Sequence, residues 1–510
     1  MHLLARCPSQ LFSSVDLLPC GLPDCAGMRL PSPLCLLLLL SLALGAAEKP
    51  NFIFLFSDDQ QVDTIGAWGN PRIETPNLDR MVGEGFSFRS AYCGGSFSGA
   101  VCVASRSMLM TGRHWHQIED KRDWKGFTTL PEKLTKSGYH SHIVGKWHNG
   151  EKTLLRSFQS GSSVFIGGMT NHLEVPLAEI VDGKLQNKRM AKGFSTTMFT
   201  DAAVEFLGKE QKDPFFLYVA YTAPHDTRNP PQKYRDMYYK KKLPLPANFM
   251  PLHPFDNGRI DQRFRDESLA PWPRPAGMIR DQIAEYYGLV TQLDEQLGRV
   301  LKALEDSPHA DNTYVIFTSD HGLALGRHGL MGKQSLYEHS MRTPLIITGP
   351  NVPKKQASEA LVYLHDLHPT LLKLAGAQTE DIDGVADLAP IWRGEKKTVR
   401  DSLFMGFQKY MRSVRDERWK LILYPQINHR QLFDLANDPD ELTNLAEDPK
   451  RKATVARLTG LMKEWQQELS DGQPHFVENP ASMQYDHTKF RQTLDRWQPD
   501  WIVDKYFPNE

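Results

Sequence analysis

Cysteine is scarce where it would matter. Six occur in the 510 residues, and four of them, Cys7, Cys20, Cys25 and Cys35, fall within the first 47 positions. Cys93 and Cys102 are left for the rest of the chain. Two cysteines do not build the disulfide framework of a small exported scaffold, although a single Cys93–Cys102 bridge stands as the alternative to two free thiols. An excess of charge of one sign is also missing. Sixty Lys and Arg against 61 Asp and Glu give a formal net charge of −1. That gives no support to nucleic acid or an anionic membrane as the main partner. No internal repeat or low-complexity tract stands out beyond the N-terminal leader. With 40% hydrophobic and 24% charged residues, the chain is expected to fold as a globular protein with a large domain and a smaller one.

One apolar run stands apart. Leu34 to Leu44 is almost unbroken, with Arg29 before it and Gly45-Ala46-Ala47 after it. This is the pattern of a secretory signal, and it is too short for a comfortable transmembrane span. Residues 1–47 are therefore read as a signal peptide region, with cleavage after Ala47 or Gly45 and a natural start at Met28. A longer n-region is the alternative. Export to the periplasm or secretion is expected, with no membrane anchor, since no cysteine follows the run to take a lipid.

The other apolar runs are short and end in reactive side chains. Phe52 to Phe56 leads into Ser57-Asp58-Asp59, and His142-Ile143-Val144 into Gly145-Lys146-Trp147-His148. Phe215 to Ala220 leads to Pro224-His225, and Tyr314 to Phe317 to Ser319-Asp320-His321-Gly322. Runs without alternation suggest strands buried on both faces, as in a parallel sheet, where ligands bind beyond the carboxyl ends. Tyr287, Val290, Leu293, Leu297, Val300, Leu301 and Leu304 repeat at helical spacing before the last of these strands, a helix–strand unit of an α/β fold. A segment from about 228 to 275 lacks such order. It reads either as a substrate-facing insertion or as a solvated excursion. Around Arg400 the character changes to short strands at 402–407, 411–415 and 419–424 and a helix at 452–469. The expectation is a catalytic domain over 48–400 and a smaller α+β subdomain and tail over 401–510.

If the strand ends open onto one crevice, Asp58, Asp59 and Asp320 converge there with His321. Unpaired carboxylates raise one another's pKa, and a hard divalent cation resolves the conflict. An oxygen-rich set favours Ca²⁺ or Mg²⁺ over Zn²⁺. Arg106, Lys146, His148, His225 and Lys333 surround the proposed metal, which suits an oxyanion under transfer and so a sulfate or phosphate ester. Cys102 is expected just ahead of a helix that stops at Thr111-Gly112, where a nucleophile gains from the positive end of the dipole. As a thiolate, however, it is a soft partner for a hard ion.

The stretch Cys102-Val103-Ala104-Ser105-Arg106, with Thr111-Gly112-Arg113 after it, resembles the signature of the type I sulfatase family in the alkaline-phosphatase-like superfamily. Gly145 to His148, Ser319 to Gly322 and Thr75-Pro76-Asn77-Leu78-Asp79 extend the likeness over nearly the whole chain past the leader. The resemblance implies an α/β fold: a large mostly parallel sheet flanked by helices on both faces, with a smaller C-terminal α+β domain carrying a short antiparallel sheet. It implies that a formylglycine-generating maturation enzyme converts Cys102 to Cα-formylglycine, replacing soft sulfur by oxygen. It further implies one Ca²⁺ held by Asp58, Asp59, Asp320, His321 and the modified residue 102, although many members carry Asn where this chain has His321. Arg106 and Lys146 would hold nucleophile and sulfate. His225 and Lys333 would assist the departing alcohol, and His148 would take a proton from the second hydroxyl of the hydrate. Ala104 departs from the commoner Pro. The substrate expected is a sulfated small molecule or glycan, with carbohydrate preferred. A phosphate or phosphonate ester hydrolase of the same superfamily and a non-catalytic sulfated-glycan binder with unmodified Cys102 are the competing readings.

Overall fold

A computed structural model describes residues 48–118, 123–258, 265–490, 495 and 498–507. The leader at 1–47 lies outside the described residues. Strand β1 (Asn51–Ser57) sets the plan, because all seven of its residues are buried. Successive side chains of a strand point to opposite faces. Phe52, Phe54 and Phe56 accordingly enter one hydrophobic core, and Ile53 and Leu55 another. A strand covered on both faces has no reason to alternate apolar with polar residues.

The main sheet also contains β2 (Phe86–Tyr92), β4 (His140–Trp147), β5 (Ser160–Ile166), β6 (Glu174–Val181) and β7 (Lys184–Lys192). It is completed by β8 (Phe215–Ala220), β9 (Thr313–Ser319), β10 (Arg342–Thr348) and β11 (Gln356–Tyr363). The ten strands run in the order β11-β2-β10-β9-β1-β8-β4-β5-β6-β7. The five from β9 to β5 are mutually parallel. Only β10 and β6 run against the rest, so the sheet is mixed but mostly parallel.

Helices cover both faces. Met108 and Leu109 of α1 (Val101–Thr111) and Leu367 and Leu371 of α4 (Leu367–Leu374) pack with the β1 phenylalanines. Phe199 and Ala203 of α2 (Ser195–Leu207), with Leu293, Leu297 and Val300 of α3 (Ala276–Glu305), pack with Ile53 and Leu55. The periodic residues read from 287 to 304 thus lie on one long helix. The segment 228–275 contains a helix at Gln232–Tyr239 and a 3₁₀ turn at Arg265–Leu269.

A second sheet has five strands: β3 (Gly95–Ser96), β12 (Leu403–Phe407), β13 (Met411–Arg415), β14 (Trp419–Tyr424) and β15 (His429–Asp434). The last four form an antiparallel meander. Val455, Leu458, Met462, Trp465 and Leu469 form the buried face of α5 (Lys452–Leu469). β3 lies parallel to β12, through Gly95 opposite Gly406 and Ser96 opposite Phe407. Gly95 has φ +122, and a Cβ there would stand 2.0 Å from the Gly406 carbonyl oxygen, so only glycine fits this contact.

Candidate active site

The sheet order creates the site. β1 lies between β8 and β9, and β8 pairs with β4. Because these four strands are parallel, their carboxyl ends share one edge. Asp58-Asp59 follow β1, Asp320-His321 follow β9, Lys146 is in the last residues of β4, and His225 follows β8 by a short turn. At Gly145, φ is +88 and an added Cβ would meet the Ala220 carbonyl oxygen at 2.0 Å. A register shift against β5 falls between Val144 and Gly145.

Three carboxylates converge as expected. Oxygens of Asp58, Asp59 and Asp320 lie within 4.8 Å of one another, and all three residues are buried. The Asp320 Oδ1 accepts a hydrogen bond from the Asp59 backbone N–H at 3.0 Å. His321 Nε2 stands 3.4 Å from Asp59 Oδ1 and 3.7 Å from Asp320 Oδ1. Its Nδ1 is 2.9 Å from the Gly322 carbonyl oxygen. A carbonyl only accepts, so Nδ1 carries a hydrogen and Nε2 is the ring atom turned to the carboxylates. That atom and Asp58 Oδ1 are buried without a hydrogen-bond partner. Orphaned acceptors facing a carboxylate cluster fit a hard cation with oxygen-dominated coordination. A second grouping places Cys102, Asp320 and His321 within the same 4.8 Å reach.

Fixed cations interleave with these acids. Arg106 donates to Asp320 Oδ2 from Nε at 3.2 Å and NH2 at 3.1 Å, and NH2 lies 3.5 Å from Asp58 Oδ1. Its guanidinium also sits 4.6 Å from the centre of the Phe56 ring. Lys146 is paired with Asp58. Lys333 Nζ donates to both Asp59 oxygens at 2.9 Å and lies 3.0 Å from His225 Nε2. Burial opposes the charge on Lys333, but Asp59 and other nearby acids outweigh it and hold its pKa well above the usual lysine range. Burial raises Asp59, against Lys333, and Asp58 and Asp320 add to the rise. Asp320 goes the other way: burial is overcome by His321 and Arg106, so its carboxyl is held well below the ordinary range.

Cys102 lies inside the first turn of α1 rather than ahead of it, because the helix begins at Val101. The N-cap, Ala100, has no side-chain acceptor for the free N–H groups of that turn, and Gly112 ends the helix at φ 68. Cys102 is 2% exposed, and its Sγ is 3.2 Å from His148 Nδ1. Burial, with Lys146 adding to it, pushes His148 well below the usual histidine range, so the ring is neutral. Behind it, Asn149 Nδ2 donates to the Val103 carbonyl at 3.0 Å and to Ser107 Oγ at 2.7 Å, tying the end of β4 to α1. Cys93 and Cys102 are both free and buried.

All ten residues singled out in the sequence therefore meet at one place. A cavity of about 260 Å³ opens onto it, lined in part by Cys102, His148, His225 and Lys333. The sequence reading missed its other polar lining residues, Arg265, Asp266 and Gln334. Gln334 follows Lys333 directly, and proximity was its only signal. Arg265 and Asp266 lie in the segment without motifs. Asp226, whose carboxylate reaches His225 Nδ1 at 3.2 Å, was also missed, although it follows His225 in the chain.

Comparison with known proteins gives a consistent picture. An arylsulfatase of Clostridium perfringens is 28% identical over 468 residues, covering 81% of this chain and 94% of that protein. An N-acetylglucosamine-6-O-sulfatase of Bacteroides thetaiotaomicron is 27% identical over 510 aligned positions, covering 84% and 88%. A solved structure, of a protein in complex with its substrate D-glucosamine-2-N,6-O-disulfate, shares the fold with TM-score 0.71 at 24% identity, covering 84% of this chain and 99% of that one. The C-terminal model of N-sulphoglucosamine sulphohydrolase matches residues 326–468. The Sulfatase family model matches residues 50–377, a stretch that contains every one of the ten converging residues, and the chain belongs to that family of sulfate ester hydrolases.

Proposed function

We propose that the protein removes sulfate from a carbohydrate sulfate ester, with position 102 acting as Cα-formylglycine and one Ca²⁺ held by Asp58, Asp59, Asp320, His321 and residue 102. The observation that carries this reading is the setting of Cys102. It is a buried residue in the first turn of an uncapped helix, beside a neutral histidine and within reach of the ligands Asp320 and His321. A thiolate would gain from the helix end but is a soft partner for a hard ion, whereas an oxygen nucleophile suits both. A maturation enzyme would have to supply that oxygen form.

The charges support the same reading. Asp58, Asp59 and Asp320 are matched by Arg106, Lys146 and Lys333. A divalent ion added to this balanced set leaves a net positive centre for an anionic ester. When bound, the ion would supply Lewis-acid stabilisation of the sulfate oxygens and of the ionised nucleophile. Arg106 and Lys146 fix the acids and present positive charge to the transferring group. His148 Nδ1 faces position 102 at 3.2 Å and, being neutral, takes a proton from it. Lys333 and His225 line the cavity and serve the departing oxygen.

Two things favour a carbohydrate: the relative that acts as an N-acetylglucosamine-6-O-sulfatase, and the polar lining of Arg265, Asp266 and Gln334, which offers donors and acceptors for sugar hydroxyls. On the same reading the leader directs export, 48–400 is the catalytic domain, and 401–510 is its smaller companion. No described helix is long and apolar enough to cross a membrane.

The test has two parts. Mass spectrometry of the peptide containing Cys102, from a host with the maturation enzyme, should find the aldehyde form. The same preparation should release sulfate from sulfated sugars, and C102A should release none. A thiol throughout, with no sulfate released, overturns the mechanism. Turnover of aryl sulfates alone overturns the carbohydrate assignment.

A further inference from the structure

Six residues close a ring around one side of the cavity. The Lys333 backbone N–H donates to Gln334 Oε1 at 3.0 Å, and Gln334 Nε2 donates to Asp266 Oδ2 at 2.9 Å. Arg265 NH2 donates to Asp266 Oδ1 at 2.9 Å, while its NH1 pairs with Asp226 Oδ2. Asp226 Oδ1 lies 3.2 Å from His225 Nδ1, and His225 Nε2 returns to Lys333 Nζ at 3.0 Å. Asp226 is only 4% exposed.

The hydrogen positions around the imidazole follow from its partners. Nδ1 is 2.7 Å from the Asp226 backbone carbonyl oxygen. A carbonyl only accepts, so Nδ1 carries the hydrogen and Nε2 of the neutral ring is the acceptor for Lys333. The Asp226 carboxylate thus faces the N–H side of the ring. It fixes the ring so that Nε2 stays turned to the Lys333 ammonium. Arg265 holds the other carboxylate oxygen and leaves Oδ1 turned to the ring.

We propose that Asp226 is a positioning residue for His225, held in place by Arg265, and that His225 in turn orients the Lys333 ammonium towards the departing alcohol. The proposal rests on the sulfatase reading given above. As the bond between sulfur and the alcohol oxygen breaks, its electron pair stays on that oxygen. The oxygen takes a proton directly from the Lys333 ammonium, which His225 Nε2 orients by accepting another of its N–H groups. Lys333 is left as the amine and regains its proton from the water consumed in hydrolysis. The segment 228–275 then does more than line the cavity, since Arg265 sets the orientation of the carboxylate behind His225.

The experiment compares leaving groups. The kcat/KM of wild type, D226N and R265Q is measured on a series of aryl sulfates of graded phenol pKa and on an alkyl or sugar sulfate. An alcohol that is a poor leaving group needs the proton, and a strongly acidic phenol does not. General acid assistance is worth about 10²–10⁴-fold, so D226N should lose at least about tenfold more on the alkyl ester than on the most acidic phenol ester. The dependence of log kcat/KM on leaving-group pKa should steepen. R265Q, at a residue whose side chain is 30% exposed, should steepen it in the same direction by less, and it guards against misfolding of the buried variant. Parallel losses across the series, or none, in both variants would overturn the positioning role and leave the sulfatase reading standing. A wild-type protein inactive on every ester would overturn both.

Discussion

Glu285, on α3, is an acid placed among neutral donors. Its Oε1 accepts from Tyr239 OH and from Trp501 Nε1, each at 2.8 Å, while Oε2 is buried with no hydrogen-bond partner. Burial, only partly offset by those two donors, pushes its carboxyl up from 4.5 to about 7. The native protein therefore keeps a proton that the unfolded chain releases. Stability from this group is complete below the ordinary value and is lost as pH climbs towards 7. Thermal unfolding of E285Q between pH 5 and 8 should show a shallower fall in Tm than wild type. An unchanged slope would show that Glu285 titrates normally. The residues of the site were far easier to read than this one. Asp58, Asp59, Asp320 and His321 each stand at the end of a short apolar run, where a parallel sheet delivers side chains to a ligand. Glu285 sits inside a regular helical repeat, and nothing in the local sequence separates it from a solvated glutamate.

At the scale of elements, Gly145 makes the end of β4 possible. Its φ of +88 is costly for any residue with a Cβ, and an added Cβ would lie 2.0 Å from the Ala220 carbonyl in the neighbouring strand. G145A should lower stability by about 2–4 kcal/mol, combining backbone strain with a clash between central strands. Lys146 and His148 follow directly, so kcat should fall as well. Calorimetry and sulfate release would check both, and a variant with native Tm and kcat would contradict the account. The buried strands were legible because both faces are covered and the runs are uninterrupted. The hairpin of β6 and β7 was not. β7 reads Lys-Leu-Gln-Asn-Lys-Arg-Met-Ala-Lys, none of it buried, so no apolar period marks it. The start of α1 was misread by a residue or two because Ala100 gives no side-chain cap to announce it. Asp226 and Arg265 escaped notice because their meeting depends on a contact across 39 positions of chain.

For the whole molecule, the carboxylate cluster links the ends of the two central strands, so an ion held there would couple to global stability. A ligand that binds only the folded state, at 100 times its Kd, adds about 2.7 kcal/mol, or about 3 °C in Tm for a chain of this size. Calcium returned to chelator-treated protein should raise Tm by that order, and the rise should vanish in D59A. Equal melting of wild type with and without calcium would count against the site. The gross architecture followed from composition and run lengths, whereas the joining of the two sheets did not. β3 is two residues long, and a pair so short carries no pattern.

That two-residue strand lies six positions ahead of Cys102. It hydrogen-bonds to β12, which belongs to a meander made more than three hundred residues later in the chain. The native fold leaves Cys102 at 2% exposure. On the formylglycine reading, a maturation enzyme would have to reach Cys102 before this burial is complete. Synthesis runs from the N-terminus, so Cys102 emerges well before the residues from Leu403 onward that pair with β3. On that reading folding and maturation would compete for one side chain, and a chain that buried Cys102 first would keep its thiol.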